Sequence, residues 1–160
     1  MMRRSYTLLY IIALLTGHLL LSACNDGRVY DTYRHVDVAG WERNDTLKFS
    51  IGVSQSGLYS LNIGMRTNTS FPFQTLSMVM TRSQKSEPKQ HSDTVSCNIV
   101  DREGKLLGRN GISSNEVRYH VRDIAMADSD SLFVCISHCM RRESLPGLTE
   151  VGLQLVRTNQ

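Results

Sequence analysis

The sequence is short of several things that would point to a function. Only 7% of its 160 residues are aromatic, and Trp41 is the single tryptophan. That leaves little material for the row of exposed rings a sugar-binding sheet face needs. No G-x-S-x-G elbow is present, so serine nucleophile chemistry has no anchor. No glycine-rich loop follows a strand and opens a helix, which removes the usual basis for nucleotide binding. Cys97, Cys135 and Cys139, with His120 and His138, follow no ligand spacing of a structural zinc site. Buried cysteine as a small hydrophobe explains them better, and no metal or other cofactor is expected. Internal repeats and low-complexity tracts are also missing. After residue 24 no long uncharged apolar run remains, so no spanning helix is expected there.

The first two dozen residues are informative. Arg3 and Arg4 form a short positive start, and an apolar stretch runs from about Thr7 to Leu21, broken by Thr16, Gly17 and His18. A charged start, a short apolar middle and small residues at the end mark a secretory signal. Leu21-Ser22-Ala23-Cys24 narrows this to a lipoprotein signal, cut between Ala23 and Cys24, with Cys24 carrying the lipid. One acyl chain holds a protein only marginally, at about 0.8 kcal/mol per buried CH₂. Two or three chains on one cysteine make release rare. Residues 1–23 are therefore expected to be removed, 24–40 to form a lipidated tether, and 41–160 to fold. Asn25 rather than aspartate follows Cys24, which favours the outer membrane. Asp26 is the only acid nearby, so the periplasmic face is expected.

Removing Arg3 and Arg4 from 18 basic residues leaves 16 against 15 acidic ones. A near-neutral mature domain gives no electrostatic reason to bind nucleic acid. Among the three remaining cysteines an oxidising compartment permits one disulfide. Cys97 with Cys135 or Cys139, across two strands, is the more plausible geometry.

From Leu47 onward the hydrophobic period is two, the mark of half-buried strands. Leu47, Phe49, Ile51 and Val53 alternate with polar neighbours, as do Leu61, Ile63 and Met65, then Leu76, Met78 and Met80. Val95, Cys97 and Ile99 suggest a fourth strand. Val117, Tyr119 and Val121, alternating with Arg118, His120 and Arg122, suggest a fifth. Leu132 to Ile136 is apolar throughout and reads as a central strand packed on both faces. Val151, Leu153 and Leu155 form a seventh. Ser83 to Ser92 reads as a long exposed loop. Val29, Tyr30, Tyr33 and Val36 are positioned to pin the tether to the domain. The predicted fold is all-β, an antiparallel β-sandwich of about seven strands.

Taken in order, several segments resemble the gliding-motility lipoprotein GldH family. They begin at the lipobox and at Arg28-Val29-Tyr30-Asp31-Thr32-Tyr33, then include Trp41 and Asp45-Thr46-Leu47-Lys48-Phe49. Leu61 to Asn68 and Phe71-Pro72-Phe73-Gln74-Thr75-Leu76 match the family's central stretch, with Phe71 in place of a tyrosine and Thr75 in place of an asparagine. Asp93-Thr94-Val95, Gly104 to Gly108 and Gly147 to Leu153 complete the pattern, and the three cysteines lie outside it. The resemblance implies a non-enzymatic envelope lipoprotein linked to gliding motility and its associated secretion machinery, with no catalytic residues to assign. Its partners would be the membrane, through the lipid on Cys24, and other envelope or gliding-machinery proteins; no small-molecule substrate is indicated. Arg66, Asn68, Phe71, Pro72 and Phe73 form the expected partner contact, because they sit in and beside a loop on a rigid scaffold. The alternative is a periplasmic glycan- or peptidoglycan-binding module, by analogy with other sandwich folds.

Overall fold

A computed structural model describes residues 27–37 and 39–158. The expected signal peptide, its cleavage site at Ala23 and Cys24, and lipidation of Cys24 lie outside the described residues. Eleven strands occur in chain order: β1 (Arg28–His35), β2 (Trp41–Glu42), β3 (Leu47–Gly52), β4 (Gly57–Asn68), β5 (Thr75–Gln84), β6 (His91–Asn98), β7 (Arg109–Asn110), β8 (Ser114–Met126), β9 (Ser131–His138), β10 (Ser144–Leu145) and β11 (Leu148–Arg157). They form a five-stranded sheet in the order β1-β11-β4-β8-β7, a four-stranded sheet in the order β3-β9-β5-β6, and a small β10-β2 pair. Every pairing is antiparallel.

The alternation read from the sequence builds the core directly. Tyr59, Leu61, Ile63 and Met65 of β4 and Val151, Leu153 and Leu155 of β11 point inward from one sheet. Phe49 and Ile51 of β3, Leu76, Met78 and Met80 of β5, and Leu132, Val134 and Ile136 of β9 meet them from the other. Side chains of this size contribute about 1.5–3 kcal/mol each when fully buried. All seven strands of the sequence reading are present within this sandwich. Trp41 closes one side of the core, its ring 5.3 Å from His138 in an edge contact. Burial holds His138 below the usual histidine range, against the pull of the Glu143 carbonyl it faces.

Four features differ from the sequence reading. First, the fold begins before Trp41. Residues Arg28–His35 are not a tether but an edge strand, paired along its length with β11. Its charges hid it: Arg28, Asp31, Arg34 and His35 break the apolar alternation. Second, β8 carries a bulge. Leu61 pairs with Arg122 and Asn62 with His120, so Val121 is extra. The extra residue reverses the parity, and Arg122 takes the inward register with Ile124 and Met126. Arg122 is accommodated there because its guanidinium reaches Asp93 of β6 at 3.0 Å. Third, β9 is central in its sheet but covered on one face only: Phe133 is 46% exposed and Cys135 half-buried. Fourth, β5 and β6 extend toward each other and shorten the Ser83–Ser92 loop to residues 85–90.

Among the described residues the cysteines, Cys97, Cys135 and Cys139, are free thiols. Strand β5 separates Cys97 on β6, opposite Leu76, from Cys135 on β9, opposite Thr81. Two strand spacings are about 10 Å, beyond the roughly 7 Å limit for disulfide Cα atoms. Cys139, whose amide bonds the Ser77 carbonyl, lies across the same gap. Burial pushes the Cys97 thiol up to about 12, so it is an inert core group.

Among the described residues no helix is long and apolar enough to cross a membrane.

Candidate partner-binding site

The five residues expected to form one contact surface fall in two places. Asn68, Phe71 and Phe73 meet at one end of the sandwich, with Pro72 exposed on the same loop. Arg66 lies instead on the outer face of the five-stranded sheet.

At the end, β4 finishes on Asn68, whose side-chain oxygen accepts from the Ser70 amide at 2.8 Å and whose carbonyl accepts from the Phe71 amide at 3.2 Å. This self-bonded turn is what asparagine offers a chain leaving a strand. It sets the Phe71 and Phe73 rings edge to face, 5.4 Å apart. The turn rests on Gly147, which has φ +79°, and the Gly147 carbonyl accepts from the Asn68 amide at 2.8 Å. Opposite the rings stand Leu106 and the β7–β8 hairpin tip with Ile112. Between them lies a crevice of about 110 Å³ whose lining carries no charged side chain.

The floor of the crevice includes Asn115 of β8. Its side chain is 95% buried, and neither its carboxamide nitrogen nor its oxygen has a hydrogen-bond partner among the described residues. Leaving such a pair unsatisfied costs on the order of 1–3 kcal/mol per group. The rim is equally unusual: Ile112 is fully exposed and Leu106 is 45% exposed. These residues escaped the sequence reading. An isoleucine inside Asn110-Gly111-Ile112-Ser113-Ser114 was a legible signal, since a turn of small polar residues has no core for it. Asn115 gave none, because its inward direction follows only from its pairing with Thr67.

The outer face around Arg66 has a different character. Tyr33, Gly152, Gly64 and Arg118 are successive partners across β1, β11, β4 and β8. The two glycines leave a trough, and the Tyr33 ring lies in it; a Cβ on either would strike the ring. The Arg66 guanidinium covers that ring at 4.0 Å and Arg118 stands 5.7 Å away. Arg66 bonds Glu116 at 3.1 Å and Glu150 at 2.5 Å; Arg118 bonds Glu116 at 2.8 Å and Asp31 at 3.0 Å. Burial pushes the Tyr33 phenol up to about 12; Glu116 adds to this while Arg118 and Arg66 oppose it. Burial alone would raise the Glu116 carboxyl, but the bonds from Arg118 and Arg66 outweigh it and hold it low. Opposite charges here satisfy one another across four strands. Arg66 is thus a clamp within the sheet, and the crevice is the better candidate for an outside partner.

A family model described as GldH lipoprotein matches residues 28–155. The chain is 26% identical over 151 residues to a gliding motility lipoprotein GldH of Flavobacterium johnsoniae, covering 89% of this chain and 92% of that one. Among solved structures, the CBM35 of Cellvibrio japonicus Abf62 is similar over 81% of this chain and 99% of its own, at 13% identity and TM-score 0.38. Tripeptidyl peptidase 2 is similar over 85% of this chain and 10% of its own, at 12% identity and TM-score 0.44. Structural likeness at these scores carries no argument about what the chain binds.

Proposed function

Because the chain belongs to the GldH lipoprotein family, we propose that it is a lipid-anchored envelope protein that serves gliding motility and the associated secretion machinery by holding a protein partner. The lipid is on Cys24 and the domain faces the periplasm from the outer membrane. The Leu21-Ser22-Ala23-Cys24 lipobox and the printed description of the F. johnsoniae relative support this reading.

One observation carries it: the two ends of the sandwich are suited to different tasks. The Gly27 carbonyl accepts from the Arg157 amide at 2.7 Å, beside the Gly57 end of β4. Cys24 precedes Gly27 by three residues, a reach of about 10 Å at most. An acylated Cys24 therefore holds the Gly57 end against the bilayer. The crevice lies at the Asn68 end, eleven residues further along β4, about 35 Å away at the usual rise of a strand. The apolar, uncharged crevice is then presented away from the membrane.

The test is a crosslinked pull-down from membranes with tagged full-length chain, comparing wild type, Cys24→Ala and the double variant Phe71→Ser/Phe73→Ser. Wild type is expected to recover gliding or secretion components, and Cys24→Ala to lose them. The double variant is expected to fold in normal yield, since both rings are half-buried at the rim, and to recover roughly thirty-fold less partner, the lower end of an interface hot spot. General envelope proteins recovered equally from all three would contradict the motility assignment. A collapse in folded yield would make the two rings caps of the core.

A further inference from the structure

We infer that the end crevice receives one apolar side chain of an extended partner segment, whose main-chain amide pairs with the Asn115 carboxamide. This rests on the partner-holding reading above and names the chemistry of what is held.

Asn115 offers one unused acceptor and an unused donor group, side by side. In an extended segment the N–H and C=O of one residue point to the same side and supply the matching pair. The uncharged lining selects against an ionic ligand, since a charge entering it would lose hydration with no countercharge in return. A single water needs about 10–15 Å³ of such space, so about 110 Å³ exceeds the needs of one ordered water and suits several carbon atoms. Ile112 and Leu106 extend the apolar surface onto the rim, where an extended segment would lie. Among the described residues no hydrogen bond fixes the carboxamide, so pairing with an arriving segment breaks none. The site resembles others that keep a locally unfavourable group for the sake of binding.

The experiment uses the full-length chain in detergent micelles, ¹⁵N-labelled so that the Asn115 side-chain NH₂ and the Ile112 backbone amide are followed. The probes are acetyl-Gly-Leu-Gly-amide, acetyl-Gly-Ser-Gly-amide and N-acetylglucosamine. The leucine peptide is expected to move both signals saturably, and the serine peptide to bind at least ten-fold more weakly. Asn115→Leu is expected to raise Tm and to weaken the leucine peptide at least ten-fold, read at Ile112. Ile112→Ser, a change at a fully exposed side chain, is expected to leave Tm unchanged and weaken the same peptide, read at Asn115. No movement with the leucine peptide, equal binding of the serine peptide, or a response to N-acetylglucosamine alone would overturn the inference. So would a lowered Tm in Asn115→Leu, which would make the carboxamide structural. If pull-downs recover the machinery while these peptides fail, this inference falls and the proposed function stands. If the peptides bind while pull-downs recover nothing specific, the function falls and the ligand chemistry stands.

Discussion

Gly147→Ala is expected to destabilise the domain by about 3 kcal/mol and to lower Tm by roughly 10 °C, with loss of partner recovery. Three contributions add. At φ +79° an L side chain pays about 1–2 kcal/mol that glycine does not. The new Cβ would meet the Phe71 backbone nitrogen, and would stand 2.6 Å from both Phe71 Cα and the Ser70 carbonyl carbon. These are backbone atoms, which cannot step aside as a side-chain tip does. The Asn68–Phe73 turn must therefore move, and the bond from the Asn68 amide to the Gly147 carbonyl, worth about 1 kcal/mol, weakens with it. Gly104→Ala is the matched control. Its φ is +81°, but its Cβ would meet nothing within 4 Å, so only the conformational part, about 1–2 kcal/mol, is expected. Thermal melts of the two variants separate the contributions. Equal costs would show that the contact with the Phe71 turn contributes nothing.

The second large effect belongs to Tyr33. Tyr33→Ala is expected to cost roughly 2–3 kcal/mol, because the ring fills the trough over Gly64 and Gly152 and no other side chain can reach it from those positions. Arg66 and Arg118 also lose the aromatic face they lie over. Tyr33→Phe is expected to leave stability unchanged or to raise it by up to about 1 kcal/mol at neutral pH, since it removes a buried hydroxyl that has no hydrogen-bond partner among the described residues. The two forms diverge in alkali. The phenol titrates near 10 when unfolded and about 12 when folded, so the unfolded chain gives up its proton first. Stability contributed by the neutral phenol is present below pH 10 and lost as pH rises toward 12. Urea unfolding across that window should show wild type falling faster than Tyr33→Phe. A cost of Tyr33→Phe near that of Tyr33→Ala would place the hydroxyl, rather than the ring, at the centre of the clamp.

Much of the sandwich could be read in the chain because a half-buried strand writes its direction into every second residue. Leu61, Ile63 and Met65, or Leu76, Met78 and Met80, need no partner to be recognised. Strand β1 could not be read this way. It is an edge whose outward Tyr33 is apolar and whose inward Arg34 is charged, the reverse of the usual pattern, and both make sense only against neighbours. The bulge at Val121 was hidden for a related reason: alternation counts residues, whereas register counts pairs. The candidate site was half legible. Phe71-Pro72-Phe73 announced a rigid aromatic turn, but Arg66, five residues before Phe71, lies on the outer face of the five-stranded sheet rather than at its end. Asn115 became visible only once the bulged β8 was set beside β4 and its carboxamide was left without a partner.

The central claim is that the membrane and the protein partner occupy opposite ends of the domain. Site-specific photo-crosslinking in intact cells tests it directly, with the reactive group placed at Ile112 on the crevice rim or at Ser54 near the Gly57 end. Ile112 is expected to yield one discrete protein adduct that disappears in Cys24→Ala, while Ser54 yields lipid adducts or none with protein. A discrete protein adduct from Ser54, with none from Ile112, would contradict the claim and turn the domain over.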